Sequence, residues 1–216
     1  MELNRYIEHT LLKPDTTEEE LIKLFKEAKD YSFHGVCINP CHVKFAKEYL
    51  RSTDVKIITV IGFPLGANKT ETKVYETELA LIDGADEIDM VMNIGALKEH
   101  NYNLVLHDIE RVKNACRSQA LKVIIETDLL TQDQIKKSCE ICIQAKADFV
   151  KTSTGFVKDG VGAKVEDVKL MHEIVSPFKI GVKASGGIRD KETAIKMIKA
   201  GATRIGTSSG IEICKG

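Results

Sequence analysis

Apolar, β-rich runs and stretches with helical spacing alternate along this 216-residue chain, and that alternation limits its possible folds more than any other feature. Seven runs are clear: Gly-Val-Cys-Ile-Asn (35–39), Lys-Ile-Ile-Thr-Val-Ile-Gly (56–62), Asp-Glu-Ile-Asp-Met-Val-Met (86–92), Lys-Val-Ile-Ile-Glu-Thr (122–127), Ala-Asp-Phe-Val-Lys-Thr (147–152), Lys-Ile-Gly-Val-Lys-Ala (179–184) and Thr-Arg-Ile-Gly-Thr-Ser (203–208). Between them lie helical patterns such as Glu-Glu-Glu-Leu-Ile-Lys-Leu-Phe-Lys-Glu-Ala, entered at Thr16 or Thr17 as N-cap, and Lys-Glu-Thr-Ala-Ile-Lys-Met-Ile-Lys-Ala-Gly, which stops at a glycine. Apolar strands starting about every 28 residues suit a parallel sheet covered by helices. Tyr-Ile-Glu-His-Thr supplies an eighth strand, placed first, and eight strands close a ring. The spacing therefore predicts an α/β chain forming a single (β/α)8 TIM barrel over residues 1–216. The rival, an open doubly wound sheet, more often carries a glycine-rich phosphate loop after its first strand, and Ile-Glu-His-Thr-Leu-Leu-Lys-Pro has none.

Charge narrows the partners. With 31 basic against 32 acidic residues the net charge is -1, and no basic stripe suited to a phosphate backbone occurs, so no nucleic acid is expected. No stretch has the eighteen or so consecutive apolar residues of a membrane span, and Met-Glu-Leu-Asn-Arg-Tyr-Ile-Glu-His is unlike a secretory leader, so the expected location is cytoplasmic, away from membranes. Cys37, Cys41, Cys116, Cys139, Cys142 and Cys214 form no secreted-type framework and are expected as free thiols. Cys139 and Cys142 make a C-x-x-C on the apolar face of a helix, where core packing is the simpler reading. The six histidines have no metal-ligand spacing, and neither a metal nor another cofactor is expected.

Polar side chains collect at strand ends, where barrels carry their chemistry. Asp89 lies within Glu-Ile-Asp-Met-Val-Met, Glu126 closes Val-Ile-Ile-Glu, Lys151 closes Asp-Phe-Val-Lys and Lys183 closes Ile-Gly-Val-Lys. Strand side chains alternate, so Lys151 and Ser153 share one face, and Lys183 and Ser185 the corresponding face of the next strand. Adjacent strands are ~4.8 Å apart, which brings two inward ammonium groups close together. Lysine attacks a carbonyl only as the free amine, and a neighbouring cation together with burial favours that form. Lys151 and Lys183 thus suggest Schiff-base chemistry, with Asp89 as the acid/base group. The Gly-rich turns after the last two strands, Ala-Ser-Gly-Gly-Ile-Arg and Gly-Thr-Ser-Ser-Gly, suggest a phosphate site near Gly186, Gly187, Ser208 and Ser209.

Seven stretches resemble the bacterial deoxyribose-phosphate aldolases: His-Thr-Leu-Leu-Lys-Pro-Asp (9–15), Val-Cys-Ile-Asn-Pro (36–40), Val-Ile-Gly-Phe-Pro-Leu-Gly (60–66), Glu-Ile-Asp-Met-Val (87–91), Phe-Val-Lys-Thr-Ser-Thr-Gly-Phe (149–156), Val-Lys-Ala-Ser-Gly-Gly-Ile-Arg (182–189) and Arg-Ile-Gly-Thr-Ser-Ser-Gly (204–210). The resemblance implies a metal-independent class I aldolase on a barrel, cleaving 2-deoxy-D-ribose 5-phosphate to D-glyceraldehyde 3-phosphate and acetaldehyde, with a homodimer or higher homo-oligomer expected. It implies Lys151 as the Schiff-base lysine, Lys183 as the lysine that perturbs it and Asp89 as the proton relay. Gly155, Gly186, Gly187, Ser208 and Ser209 match the phosphate side, Thr154 and Glu8 are further substrate-binding candidates, and Cys37 is a candidate reactive thiol near the site. Glu8 stands where the family carries aspartate, the loop after Phe156 departs from its usual small residues, and the closing Ile-Glu-Ile-Cys-Lys-Gly lacks the tyrosine some relatives use in proton transfer. Two alternatives remain: a Schiff-base aldolase or transaldolase for another phosphorylated sugar, and a non-catalytic barrel that binds a sugar phosphate.

Overall fold

In the computed structural model, which describes residues 2–215, eight parallel strands close into a barrel in sequence order, the last pairing with the first. The strands are β1 (Ile7–Leu11), β2 (Gly35–Ile38), β3 (Lys56–Ile61), β4 (Glu87–Val91), β5 (Ala120–Ile124), β6 (Phe149–Lys151), β7 (Gly181–Ser185) and β8 (Arg204–Thr207). The helices are α1 (Glu18–Asp30), α2 (Val43–Leu50), α3 (Thr70–Asp83), α4 (Ile94–Lys98), α5 (Tyr102–Cys116), α6 (Gln132–Gln144), α7 (Val165–Val175), α8 (Lys191–Lys199) and α9 (Gly210–Lys215). Met1 and Gly216, the ends of the expected domain, lie outside the described residues. No helix among the described residues is long and apolar enough to cross a membrane.

Local chemistry explains the helix starts. Thr17 caps α1 by accepting from Glu20 N, while the Glu20 carboxylate accepts from Thr17 N, so two otherwise unpaired amides are satisfied. Thr131 and Gln134 repeat the device at α6. The expected fifth strand is shifted: β5 ends at Ile124, and Glu126 turns into the left-handed region at φ 61, beyond the sheet. Sequence alternation alone hid this, because Val-Ile-Ile runs through the strand end without a break.

Apolar side chains pointing outward from the strands, Met90 among them, pack beneath the helices in one continuous core that also takes in Met92, just past β4. Cys139 and Cys142 are buried there, and all six cysteines are unpaired. The barrel interior is divided. Leu12, Cys37, Ile58 and Val60 form a small apolar cluster inside it. Beside it lies a charged cluster: Glu8, Asp89, Lys122, Lys151 and Lys183 are all buried, where barrels of this kind usually stack branched apolar residues.

Candidate active site

Pairing register brings the interior charges together. Lys151 lies directly opposite Lys183 and Asp89 opposite Lys122, so strand alternation points all four to the axis at neighbouring heights. Asp89 is the hub. Its Oδ1 accepts from Lys122 Nζ at 3.0 Å, and its Oδ2 accepts from both Lys151 Nζ at 2.8 Å and Lys183 Nζ at 2.6 Å. Lys183 also donates to Glu8 Oε2. Lys122 reaches Glu87 Oε2 at 2.5 Å and Glu8 Oε1 at 3.5 Å. A single buried ion would cost several kcal/mol, so the cluster survives only because each charge has opposite neighbours.

Those neighbours set the protonation states. Burial pushes the Asp89 carboxyl up, but Lys122, Lys151 and Lys183 outweigh it and hold the group well below the ordinary carboxylate range. Burial pulls the Lys183 ammonium down, yet Asp89 and Glu8 raise it well above its usual value. Lys122 is raised in the same way, against burial, by Asp89 and Glu8. Lys183 therefore stays cationic.

Above the cluster lies a cavity of about 270 Å³. Lys151 lines it, whereas Lys183 and Lys122 are fully buried and do not. Gly155, Gly186, Gly187 and Ser208 form part of the same wall, with Thr10, Lys13, Phe156 and Arg189 around them. The glycines are required by geometry. Gly186 and Gly187 have φ +85 and +75, and a Cβ on Gly187 would come within 2.4 Å of Val161 O. The β6 and β7 loops are tied together, because the Ser185 hydroxyl donates to Ser153 O at 2.6 Å and Ser185 N donates to Thr152 Oγ1 at 3.0 Å.

Two of the expected binding residues, Glu8 and Ser209, stand elsewhere. Glu8 is sealed below the cavity, since alternation along β1 brings Thr10 to the wall and leaves Glu8 one layer lower against Lys183. Ser209 is off the wall; its N–H donates to Thr207 Oγ1 at 2.9 Å and its carbonyl accepts from Ile213 N as α9 begins. Thr154 lines the cavity, but its hydroxyl already donates to Glu126 and accepts from Phe156 N. Glu126, whose carboxyl is raised by burial, thus braces the loop after β6. Cys37 sits inside the barrel with its thiol pushed up by burial, the opposite of an activated thiolate.

Lys122, the first residue of the run 122–127, carries no expected role in the sequence. The available signals were alternation, which sets Lys122 on one face with Ile124, and Ala-Leu ahead of it, which moves the strand start back so that Lys122 lies within β5. Among the histidines, His9 bonds Glu27 Oε2 at 2.8 Å beneath α1, and His34 bonds Glu87 Oε1 at 3.1 Å. Donor atoms of Glu8, His34 and Glu87 lie within 4.8 Å of one another, a spacing that suits a cation. The Lys122 ammonium, 2.5 Å from Glu87, already supplies that charge.

Residues 7–216 match the family model described as DeoC/LacD family aldolase. The chain is 57% identical over 216 residues to a deoxyribose-phosphate aldolase of Bacillus licheniformis, covering 100% of this chain and 96% of the relative. Among solved structures, a putative deoxyribose-phosphate aldolase from Coccidioides immitis superposes with a TM-score of 0.97 at 43% identity, covering 99% of this chain and 85% of that one. The deoxyribose phosphate aldolase from Aeropyrum pernix, described as a unique tetrameric structure, gives a TM-score of 0.91 at 33% identity over 99% of this chain and 89% of that one.

Proposed function

This chain belongs to the DeoC/LacD family of aldolases, and we propose that it is a metal-independent class I aldolase that reversibly cleaves 2-deoxy-D-ribose 5-phosphate to D-glyceraldehyde 3-phosphate and acetaldehyde. One observation carries the assignment of roles. Of the three barrel lysines, Lys151 alone reaches the cavity, and the Asp89 oxygen that holds it also holds Lys183.

In this reading the free amine of Lys151 adds to the C1 aldehyde of the open-chain sugar, and loss of water gives an iminium. Asp89, acting through water, takes the proton of the C3 hydroxyl as the C2–C3 bond breaks. The bonding pair moves to C2, leaving an enamine on Lys151 and releasing glyceraldehyde 3-phosphate. A proton then adds to C2, and water frees acetaldehyde. Lys183 acts by keeping its positive charge: when Lys151 is neutral, Asp89 Oδ2 still has a cation at 2.6 Å, so the carboxylate is never left bare in the interior. This sharpens the expectation that Lys183 merely repels a proton from Lys151, because Asp89 stands between the two.

The phosphate is assigned to the wall of Gly155, Gly186, Gly187 and Ser208, where Arg189 and Lys13 bring positive charge to the same cavity. A homodimer or higher homo-oligomer is part of the proposal, supported by the tetrameric description of the Aeropyrum pernix relative.

The test is acetaldehyde release from 2-deoxyribose 5-phosphate, with and without a chelator, coupled to borohydride trapping and peptide mass mapping. Equal release in both conditions and an adduct on Lys151 are expected. An adduct on Lys183 with Lys151 unmodified would reverse the roles, and no release would remove the substrate assignment.

A further inference from the structure

The ionic contacts do not stop at the groups the proposed reaction uses. Below Asp89, the Lys122 ammonium bridges to Glu87 Oε2 at 2.5 Å, and Glu87 Oε1 meets His34 Nε2 at 3.1 Å. Glu87 opens β4 and His34 immediately precedes β2, so both belong to the N-terminal mouth of the barrel, opposite the cavity. A continuous series of contacts, none longer than 3.1 Å, therefore joins partly exposed His34 to Lys151 through Glu87, Lys122 and Asp89. Around Lys122, the buried atoms Glu8 Oε1, Glu87 Oε2 and Arg204 Nε have no hydrogen-bond partner. Glu8 Oε1 and Glu87 Oε2 are left to balance Lys122 by charge alone, and Arg204 Nε approaches Glu8 Oε1 only at 3.8 Å.

We propose that Glu87 is a positioning residue for the aldolase reaction: it draws Lys122 toward the lower mouth, so that Asp89 remains available to the two upper lysines, and it transmits the charge of His34 to that triad. The inference rests on Lys151 being the Schiff-base lysine. The charges make Glu87 decisive. Inside the barrel, Lys122, Lys151 and Lys183 face Glu8, Glu87 and Asp89, with Arg204 approaching from the side. Removing the Glu87 charge leaves three ammonium groups on two carboxylates. Lys122 would then lean on Asp89 and Glu8, and the surplus positive charge would disfavour protonation of Lys151, the one of the three at the cavity. Asp89, drawn harder by Lys122, would become a weaker proton acceptor.

The charged groups facing each member are few. Glu87 meets His34, Lys122 and, within 4.8 Å, Glu8. Its neighbour Asp86 is turned to Ile57 N and Lys47. His34 faces Glu87 and Glu8, and Lys151 faces Asp89, whose same oxygen holds Lys183, with Glu126 and the Cys37 thiol near enough to feel its charge. Protonating His34 places a positive charge on Glu87 and weakens its hold on Lys122, acting in the same direction as removing the Glu87 charge.

The experiment measures the pH dependence of borohydride trapping at Lys151, with acetaldehyde as probe, together with kcat and KM for 2-deoxyribose 5-phosphate, in wild type, Glu87→Gln, Glu87→Asp and His34→Gln. Trapping of the wild type at Lys151 comes first; its failure would count against the aldolase reading and not against the role given to Glu87. Given that trapping, Glu87→Gln should move the profile down by about one pH unit and lower kcat about tenfold, with KM within about twofold. Glu87→Asp should restore the profile toward wild type. His34→Gln should match wild type near about pH 8.5 and trap more slowly near about pH 5.5. A kcat loss in Glu87→Gln with no shift in profile would reduce Glu87 to floor packing and overturn the proposal. If Glu87→Gln does not fold, His34→Gln decides: superposition on wild type at both pH values overturns it.

Discussion

Two regions of this molecule bury lysines, and they do so for different ends. Lys73 on α3 is fully buried outside the barrel, where its ammonium donates to Asp108 Oδ2 at 2.5 Å and to Val91 O at 2.9 Å. Among the described residues no other lysine shares that carboxylate, and Lys73 lines none of the cavity. Lys151 is almost as buried, at 3% exposure, but opens to the cavity and shares one carboxylate oxygen with Lys183. Burial of a lysine is therefore no sign of catalysis. What separates the two is access, and a counter-ion that remains satisfied when one ammonium loses its proton.

The sharpest way to break this comparison is Lys151→Met. Turnover of 2-deoxyribose 5-phosphate should fall by at least about 10⁴-fold, as loss of a covalent nucleophile commonly does, while the protein stays folded because Lys183 still serves Asp89. Retained turnover would make the open lysine no different from the sealed one. Lys73→Met should do the reverse. It leaves Asp108 buried without a cation, so stability should drop by about 3–5 kcal/mol in denaturant unfolding, with kcat of the folded enzyme within about twofold. A large kcat loss at unchanged stability would show that α3 acts on the site.

Acid should reveal the same division. Burial alone would raise the Glu87 carboxyl, but His34 and Lys122 hold it at about 2, below the ordinary 4.5. Its contribution is thus fully present above about pH 4.5 and lost as pH falls toward 2, on the order of 3 kcal/mol across that window. Unfolding free energies measured over this range should show the loss, and Glu87→Gln should flatten it. An equal slope in that variant would place the acid sensitivity outside the barrel interior. The smallest effect concerns the opening itself: Ser208→Asp should raise KM for the phosphorylated sugar about tenfold by like-charge repulsion and leave unphosphorylated deoxyribose nearly untouched. Equal changes for both substrates would move the phosphate away from Ser208.

Much of this was legible before folding. Each βα repeat writes its own period, so the barrel followed from alternation, and Lys151, Lys183 and Asp89 stood out as polar residues in apolar strands near their ends. The α1 cap was readable because capping is local, within three residues of Thr17. Glu126 was misread as a strand end, since nothing in Val-Ile-Ile-Glu-Thr marks where pairing stops and the chain turns left-handed. Lys122 was passed over for a related reason: taken as the first residue of its strand it stood at the edge, whereas β5 begins two residues earlier and holds it inside the sheet.

What the sequence determined by itself was the succession of elements and the face on which each side chain falls, because both arise from backbone sterics and from the periods of helix and strand. Only closure of the barrel decided that Glu8 would meet Lys183 from 175 positions away and that Asp89 would receive three lysines from three strands. It also decided that Lys151, and neither of the other two, would face the cavity. Those contacts depend on the shared height of strands distant in the chain, and the ionisation of each group depends on its neighbours' charges at 3 Å or less, which no local pattern encodes.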